Sequence, residues 1–205
     1  MSLRERKRKN TLENIILSAR GLFFNRGYRE TTMNDIAGAS DVAVGTLYNY
    51  FRSKGEIMLA ITSQDAADLF VPSSSSEIDA MDVEGLIRQY SDKLISFISV
   101  YPRELMKELM GVFWEKGQEE LSNGLVSIDM QIITQITQML GALKESGRIK
   151  EETEPQLVAL SLYGMATTAV MWYSVHPDMT LDRTRETIAA MFGHFCRGIL
   201  PDGGS

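Results

Sequence analysis

The chain has 205 residues, of which 44% are hydrophobic and 23% are charged, a composition typical of folded globular domains and not of disordered chains. Its single cysteine excludes an internal disulfide framework and favours a reducing compartment. The charged N-terminus is not followed by the apolar segment of a secretory signal. No run of about 18 apolar residues, long enough for a membrane-spanning helix, is present. We therefore expect a soluble, cytoplasmic protein that does not enter a membrane.

Charge is distributed unevenly along the chain. Residues 1–55 hold 10 Lys and Arg against 5 Asp and Glu, whereas residues 56–205 hold 11 against 22. A basic N-terminal part on an acidic remainder indicates that the N-terminal part meets a polyanion. The alternative is a chance cluster at the terminus, formed by Arg4, Arg6, Lys7, Arg8 and Lys9.

Helical periodicity is found along the whole chain, and strand signals are scarce. We predict an all-α protein. A polar stretch at residues 71–76, which contains Pro72, predicts a linker. The predicted helices, about nine in number, span approximately residues 10–27, 32–39, 43–50, 54–70, 80–100, 102–117, 120–146, 154–175 and 181–200.

The second and third predicted helices are short and are separated by the tight turn Ser40-Asp41-Val42, which together read as a helix-turn-helix. Asp41 tolerates the left-handed conformation that such a turn can need. Apolar residues have the spacing to pack the two helices together: Ile36, Ala37, Val42 and Leu47. The outer side of the third predicted helix carries small, aromatic and amide side chains suited to a DNA major groove: Val44, Gly45, Thr46, Tyr48 and Asn49.

Three nearby residues are candidates for phosphate contacts. Thr32 is predicted to cap the first short helix, and Lys54 lies in the first turn of the next helix, where a lysine opposes the helix dipole. Tyr50 supplies a third possible contact. Taken singly, each residue is also explained as a plain cap or a solvated side chain.

Residues 11–57 resemble the N-terminal domain of the tetracycline-repressor (TetR-type) family of transcriptional regulators. The run Gly45-Thr46-Leu47-Tyr48, followed by Tyr50-Phe51 and Ser53-Lys54, is the most specific part of this resemblance. The resemblance implies a homodimer that binds a palindromic operator and is released by a small molecule. It also implies a DNA-binding domain at residues 1–55 and an effector-binding and dimerisation domain at residues 56–205. The other matching residues are Ile15, Ala19, Leu22, Phe23, Gly27, Thr31, Thr32, Ile36, Ala37 and Val42.

Two residues depart from the family pattern. Asp41 stands where the family commonly has the turn glycine, and Ala43 stands where it has a serine that caps the recognition helix. Loss of that cap is expected to cost about 1 kcal/mol locally and to remove one possible phosphate contact. We expect DNA binding to survive both departures.

Two predicted C-terminal helices, at about residues 154–175 and 181–200, are rich in apolar and small residues. Doubled by a two-fold axis they would form a four-helix interface, and the resemblance places the dimer interface there. The alternative is that both helices belong to the core of one chain.

The predicted helix at 120–146 has an apolar stripe that includes Ile128, Ile132 and Ile136, and Asp129 falls near its middle. A carboxylate in such a place is paired, protonated or exposed to a cavity. We predict that it lines a pocket for a small, largely apolar effector; an internal salt bridge or an exposed position is the alternative. The predicted pocket residues are Met110, Phe113, Trp114, Asp129 and Trp172.

Catalysis is not expected. The chain has two histidines, and His194 and Cys196 are spaced so that they point apart on a helix, which argues against a metal site. No phosphate-binding glycine loop or nucleophile elbow is present, and we expect no cofactor. The main alternative function is a helical small-molecule-binding or interaction protein that has lost DNA binding.

Overall fold

The computed structural model describes residues 2–67, 82–113 and 115–201. Regular secondary structure in these ranges is helical throughout, with no strand, which confirms the predicted all-α class. The predicted linker at 71–76 and Trp114 lie outside the described residues. The helices are α1 (Leu3–Arg26), α2 (Met33–Ala39), α3 (Val44–Tyr48), α4 (Lys54–Ala67), α5 (Val83–Val100), α6 (Arg103–Val112), α7 (Glu119–Glu145), α8 (Pro155–Val175) and α9 (Leu181–Arg197).

Helix α1 begins earlier than predicted. The predicted range starts at about residue 10, but Ser2 caps the helix and Glu5 closes a reciprocal capping box, with the Glu5 amide donating to Ser2 Oγ over 3.2 Å. Arginine and lysine are good helix formers, so the basic run continues the helix and does not precede it. The helix ends at Gly27 as predicted, where a φ of 96° favours glycine.

A first compact unit comprises residues 1–65 and 101–126. Its core is formed by apolar faces of α1, α4 and α6, in which Phe23, Ile57 and Leu105 are almost fully buried. The start of α7 comes so close to α4 that a Cβ at Gly124 would overlap the Leu59 side chain. Residues 101–126 therefore pack with the N-terminal residues, whereas the boundary predicted at residue 55 assigned them to the C-terminal domain; that division by function stays a prediction.

A second compact unit comprises residues 66–100 and 127–205. Helix α9 packs against α5 and α8, and the Tyr90 and Phe192 rings lie 5.7 Å apart within this contact. Ile188 and Phe192 on α9 are completely buried. The predicted apolar stripe of α9 is thus partly a core of one chain.

Helix α8 is the one described helix that is long and apolar enough to cross a membrane, by length and composition alone. A core helix of a soluble protein meets the same criterion, and 44% of the apolar window is buried within the chain. The expectation that no segment enters a membrane therefore stays a prediction.

Candidate nucleic-acid interface

Helix α3 presents a small exposed surface beside the α2–α3 turn. Leu47 is fully buried and holds α3 against α2, whereas Tyr48 is 51% exposed and Val44 is 39% exposed. The structure thus leaves the predicted DNA-contacting residues open to solvent, with Gly45 and Asn49 opposite Leu47 and Tyr48 and Val44 nearer to it. The other members of this surface, exposed or partly exposed, are Gly45, Thr46 and Asn49.

The turn before α3 has the conformation that the sequence suggested. Asp41 has a φ of 53°, the left-handed region that aspartate tolerates, and the Val42 amide donates to the Ala37 carbonyl over 3.1 Å. Ala43 is the N-cap of α3 and forms no side-chain capping bond, as its lack of a hydroxyl predicted. The turn therefore retains its geometry despite both departures from the family pattern.

The N-terminus of α2 is capped by Thr32 as predicted, and Asp35 completes a reciprocal capping box. The Asp35 amide donates to Thr32 Oγ1 over 3.2 Å, and the Thr32 hydroxyl donates to Asp35 Oδ2 over 2.6 Å. The hydrogen bonds from the Thr32 side chain and backbone, assisted by Arg26 at 3.1 Å, hold the pKa of Asp35 below its usual value. The Thr32 hydroxyl proton is thus already engaged, and its phosphate contact stays a prediction, as does that of the partly exposed Tyr50.

Lys54 has a structural role that the sequence did not reveal. Its ammonium donates to the carbonyls of Tyr28, Arg29 and Thr31 over 2.8, 3.0 and 3.1 Å. The ammonium also lies 4.5 Å from the centre of the Tyr28 ring. Burial lowers the pKa of Lys54, and nearby Glu108 partly opposes that shift. Because an ammonium has three protons, these carbonyls account for all of its donors, and a phosphate contact stays a prediction.

Glu108 on α6 binds the same turn from its other side. The amide of Tyr28 donates to Glu108 Oε2 over 2.7 Å, and the amide of Arg29 donates to it over 3.2 Å. A Cβ at Gly27 would lie only 2.9 Å from Glu108 Oε1 and would displace this carboxylate, and the φ of 96° also favours glycine there. The turn at residues 27–31 is therefore held by α6 through its amides and by α4 through its carbonyls.

Further contacts surround this turn within the first unit. Arg29 forms an ion pair with Glu115 at 2.8 Å, and the Tyr28 hydroxyl donates to Gln118 Oε1 over 3.4 Å. Burial, assisted by Glu115, raises the pKa of Tyr28 to about 12. Sequence reasoning missed this set because its partners lie about 80 or more positions apart, and no local spacing signals such a contact.

A second polar network joins α1, α4 and the start of the α6 region. Arg20 donates to Asp65 Oδ1 over 2.5 Å, and the Tyr101 hydroxyl donates to the other carboxylate oxygen over 2.5 Å. Phe24 packs against the Tyr101 ring at 5.3 Å and lies beneath the Arg20 guanidinium. The first network joins the turn at residues 27–31, and the second joins α1 and α4, to the segment that begins at Tyr101.

The predicted effector-pocket residues divide between the two units. Met110 is partly exposed and Phe113 is 37% exposed in the first unit, while Asp129 and Trp172 belong to the second. Trp172 is 53% exposed, and its ring lies 5.2 Å from the His176 ring in a tilted arrangement. It follows Tyr163 by nine positions on α8, which places it on the opposite side of the helix, about 13 Å along the axis.

Asp129 lies among aromatic hydroxyls in the second unit. The Tyr163 hydroxyl donates a hydrogen bond to the Asp129 carboxylate. Burial, assisted by the charge of Asp129, raises the pKa of Tyr90. Burial raises the pKa of Asp129, and the bond from Tyr163 partly opposes that shift. The structure does not bring Trp172 to this cluster, because Tyr163 faces Asp129 and Trp172 faces away from it.

The exposed side of α8 is apolar. Leu160 is 54% exposed, although it lies in a helix whose other side is buried. Helical spacing places the large exposed side chains of α8 along one continuous stripe: Leu157, Leu160, Met171, Trp172 and Val175. An apolar stripe of this kind marks an interaction surface on a soluble protein. Among the residues that the structure describes, no group of acidic, histidine or cysteine side chains is arranged to hold a metal ion.

Comparisons with known proteins agree with this architecture. Residues 15–61 match the family model for bacterial regulatory proteins of the tetR family. The chain is 25% identical over 165 residues to the HTH-type transcriptional repressor KstR2 of Rhodococcus jostii, covering 78% of each chain.

Two of the similar solved structures illustrate the shared fold. One, described as a TetR-family transcriptional regulator from Mesorhizobium loti, superposes with a TM-score of 0.74 at 20% identity, covering 94% of this chain and 98% of the other. The other is the TetR-family repressor FadR of Thermus thermophilus in complex with lauroyl-CoA, with a TM-score of 0.70 at 19% identity, covering 94% and 97%. These likenesses extend over the whole fold, whereas the family model covers the helix-turn-helix region.

Proposed function

The chain belongs to the TetR family of transcriptional regulators, and we propose that it is a repressor that binds a palindromic operator as a homodimer and is released by a small molecule. The observation that carries this proposal is the exposed surface of α3, which combines Tyr48 and Asn49 with small neighbours on a helix held by the buried Leu47. The regulator assignment favours a binding protein over an enzyme, and binding to chromosomal DNA implies a cytoplasmic location.

Each subunit is proposed to insert α3 into one major groove. Asn49 can pair with adenine, and the Thr46 methyl can contact a thymine methyl. A two-fold dimer would then space the two α3 helices by about 34 Å, one turn of DNA, or somewhat more. The absence of acidic residues on α3 favours this approach to a polyanion.

The dimer is proposed to form through α8 and α9. The apolar stripe of α8, which includes Leu160 and Trp172, gains most from burial against a second copy. Trp172 shares this exposed stripe and faces away from Asp129, which favours a place in the interface. Its pocket role stays a prediction. The buried side of α9, with Ile188 and Phe192, stays within the chain.

The effector is proposed to be a small, largely apolar molecule that reaches Asp129 in the second unit, while the pocket roles of Met110, Phe113, Trp114 and Trp172 stay predictions. The Asp129–Tyr163 pair supports a polar contact in apolar surroundings, of the kind that orients a ligand. The relative FadR was crystallised with lauroyl-CoA, which combines a long apolar chain with a polar head. An acyl thioester is therefore a reasonable first probe.

Release is proposed to proceed by displacement of α6. The carboxylate of Glu108 holds the amides of the turn at residues 27–31, and Lys54 on α4 holds the carbonyls of the same turn. Movement of α6 would displace this turn, which leads directly into α2 and so to the DNA-contacting helix α3. The effector must bind the DNA-incompetent arrangement more tightly, since equal affinity for both states would shift nothing.

Selection of bound duplexes from a random DNA pool tests the function. Enrichment of a palindrome, with an affinity that falls steeply with salt, is the expected result. Binding of a small molecule without any selected motif would instead favour the alternative, a ligand-binding protein that has lost its DNA role.

A further inference from the structure

The first residues of α1 form an exposed basic helical end. Residues 2–10 are all exposed, although they continue the helix whose later residues, from Ile15 onward, enter the core. This end carries five basic side chains against one acidic one, Glu5. At about 1.5 Å per residue it extends some 12 Å beyond the packed part of α1.

The direction of this helical end is defined by two hydrogen bonds within the first unit. Ser18 Oγ donates to the Ala39 carbonyl over 3.3 Å, and Asn14 Nδ2 donates to the Ser40 carbonyl over 2.8 Å. The residue of α1 nearer the N-terminus, Asn14, therefore contacts the start of the α2–α3 turn, whereas Ser18 contacts the end of α2. The basic end of α1 therefore extends beyond the α2–α3 turn.

The basic side chains differ in the face of α1 that they occupy. At about 100° per residue, Lys7 and Arg4 fall on the face of Ser18 and Asn14, about 10 and 15 Å beyond Asn14 along the helix axis. Arg6 lies about 120° from Ser18 on the opposite flank, and Lys9 faces away from Ser18 and forms an ion pair with Glu13 at 3.7 Å. Only the first pair continues the stripe that contacts the α2–α3 turn.

This arrangement is unfavourable for the helix on its own. Basic residues near a helix N-terminus oppose the helix dipole, and Arg4 repels Arg8 one turn away. A polyanion beside the stripe removes both penalties. Leu3 is the one large apolar side chain among residues 2–9, so this end lacks the apolar face that binding to a lipid surface requires.

We propose that Arg4 and Lys7 bind DNA backbone phosphates next to those contacted by the reading head, as a sequence-independent second contact. The proposal rests on the proposed operator binding and adds to it a site outside the helix-turn-helix. Such contacts raise affinity and salt dependence without changing the preferred sequence.

Two matched double variants test the proposal. Arg4→Gln with Lys7→Gln removes one arginine and one lysine from the turn-facing stripe, and Arg6→Gln with Lys9→Gln removes the same two types from the other face. Operator affinity is measured over a range of salt for the wild-type protein and both variants. Ethylation interference then maps the phosphates that each protein needs, and circular dichroism with thermal unfolding checks that α1 is intact.

The Arg4/Lys7 variant is expected to lower the salt dependence of log K by about 0.9 for each lost contact, up to about 3.6 for a dimer. Its preference for operator over scrambled DNA should not change, and specific phosphate positions should vanish from its interference map. The Arg6/Lys9 variant should keep those positions. Equal effects of the two variants, or no effect of either, would overturn the proposal while leaving operator binding standing. Failure of the wild-type protein to bind any duplex would instead overturn the proposed function, and this proposal with it.

Discussion

Replacement of Glu108 by alanine removes the carboxylate with which α6 holds the turn at residues 27–31. Two backbone amides, of Tyr28 and Arg29, lose their acceptor at 2.7 and 3.2 Å. A hydrogen bond to a charged group contributes about 1.5–3 kcal/mol when it is shielded from water. The Tyr28 amide is partly buried and the Arg29 amide is exposed to water, so the first contributes most of the effect. We expect a loss of about 2 kcal/mol in the free energy of unfolding.

The same substitution is expected to weaken the coupling between effector binding and operator binding. If α6 pulls the turn through Glu108, the variant should show a smaller change in operator affinity when effector is added. It should also lower the pKa of Lys54 further, because Glu108 opposes the effect of burial on that group. Chemical denaturation gives the stability, and operator titration with and without effector gives the coupling.

Glu104 offers a matched control, since it lies one turn earlier on α6 and is exposed. Glu104→Ala should leave stability within about 0.5 kcal/mol of the wild-type value and leave the effector response intact. Identical unfolding curves and identical effector responses for the two variants would refute the coupling role of Glu108.

Four further predictions concern other parts of the chain. Tyr48→Ala should reduce operator affinity roughly tenfold to a hundredfold with unchanged unfolding, whereas Leu17→Ala, at another exposed apolar position, should change neither in gel-shift and denaturation assays. Leu160→Glu should shift the dimer towards monomer by sedimentation, because it places a charge in the proposed apolar interface; a dimer of unchanged affinity would contradict that interface. Asp129→Asn should stabilise the protein at pH 7 and not at acid pH, because burial raises the pKa of Asp129 and makes its charged form costly. Asp35→Asn should be less stable at neutral pH and should converge with wild type below about pH 3.8, because the lowered pKa of Asp35 supplies stability that is lost on protonation.

Controls for the two pH predictions follow from the signs of the shifts. For Asp129 the difference from wild type should grow as the pH rises, and a stability gain that is equal at all pH values would contradict the burial argument. For Asp35 the difference should shrink as the pH falls. The effector response of Asp129→Asn, measured in the same preparation, separates a ligand contact from a purely structural carboxylate.

Local signals explain why the helix-turn-helix could be predicted. Thr32 with Asp35 forms a capping pair within three residues, and Asp41 tolerates the left-handed turn, so sequence spacing and physical requirement coincide there. Ser53 likewise accepts a hydrogen bond from the Glu56 amide, three residues on, over 3.1 Å. The predicted start of α1 at about residue 10 was wrong, because Ser2 and Glu5 provide a complete cap that starts the helix at Leu3.

Long-range contacts explain what the sequence could not reveal. Glu108 meets Tyr28 across 80 positions, and nothing in the apolar pattern of α6 distinguishes this glutamate from the exposed Glu104. Lys54 was interpreted from its place in a helix, but its partners come from the turn after α1. Helix α8 is apolar nearly all round, so its composition cannot say which side stays exposed, and the 53% exposure of Trp172 could not be predicted from it.

Binding stoichiometry on a selected palindrome tests the central claim most directly. The purified chain is titrated onto the palindrome and onto a single half-site at several salt concentrations. We predict two chains per palindrome, weaker binding to the half-site, and a steep loss of affinity with salt. One chain per duplex with equal affinity for the half-site, or no sequence preference at any salt concentration, would contradict a dimeric operator-binding repressor.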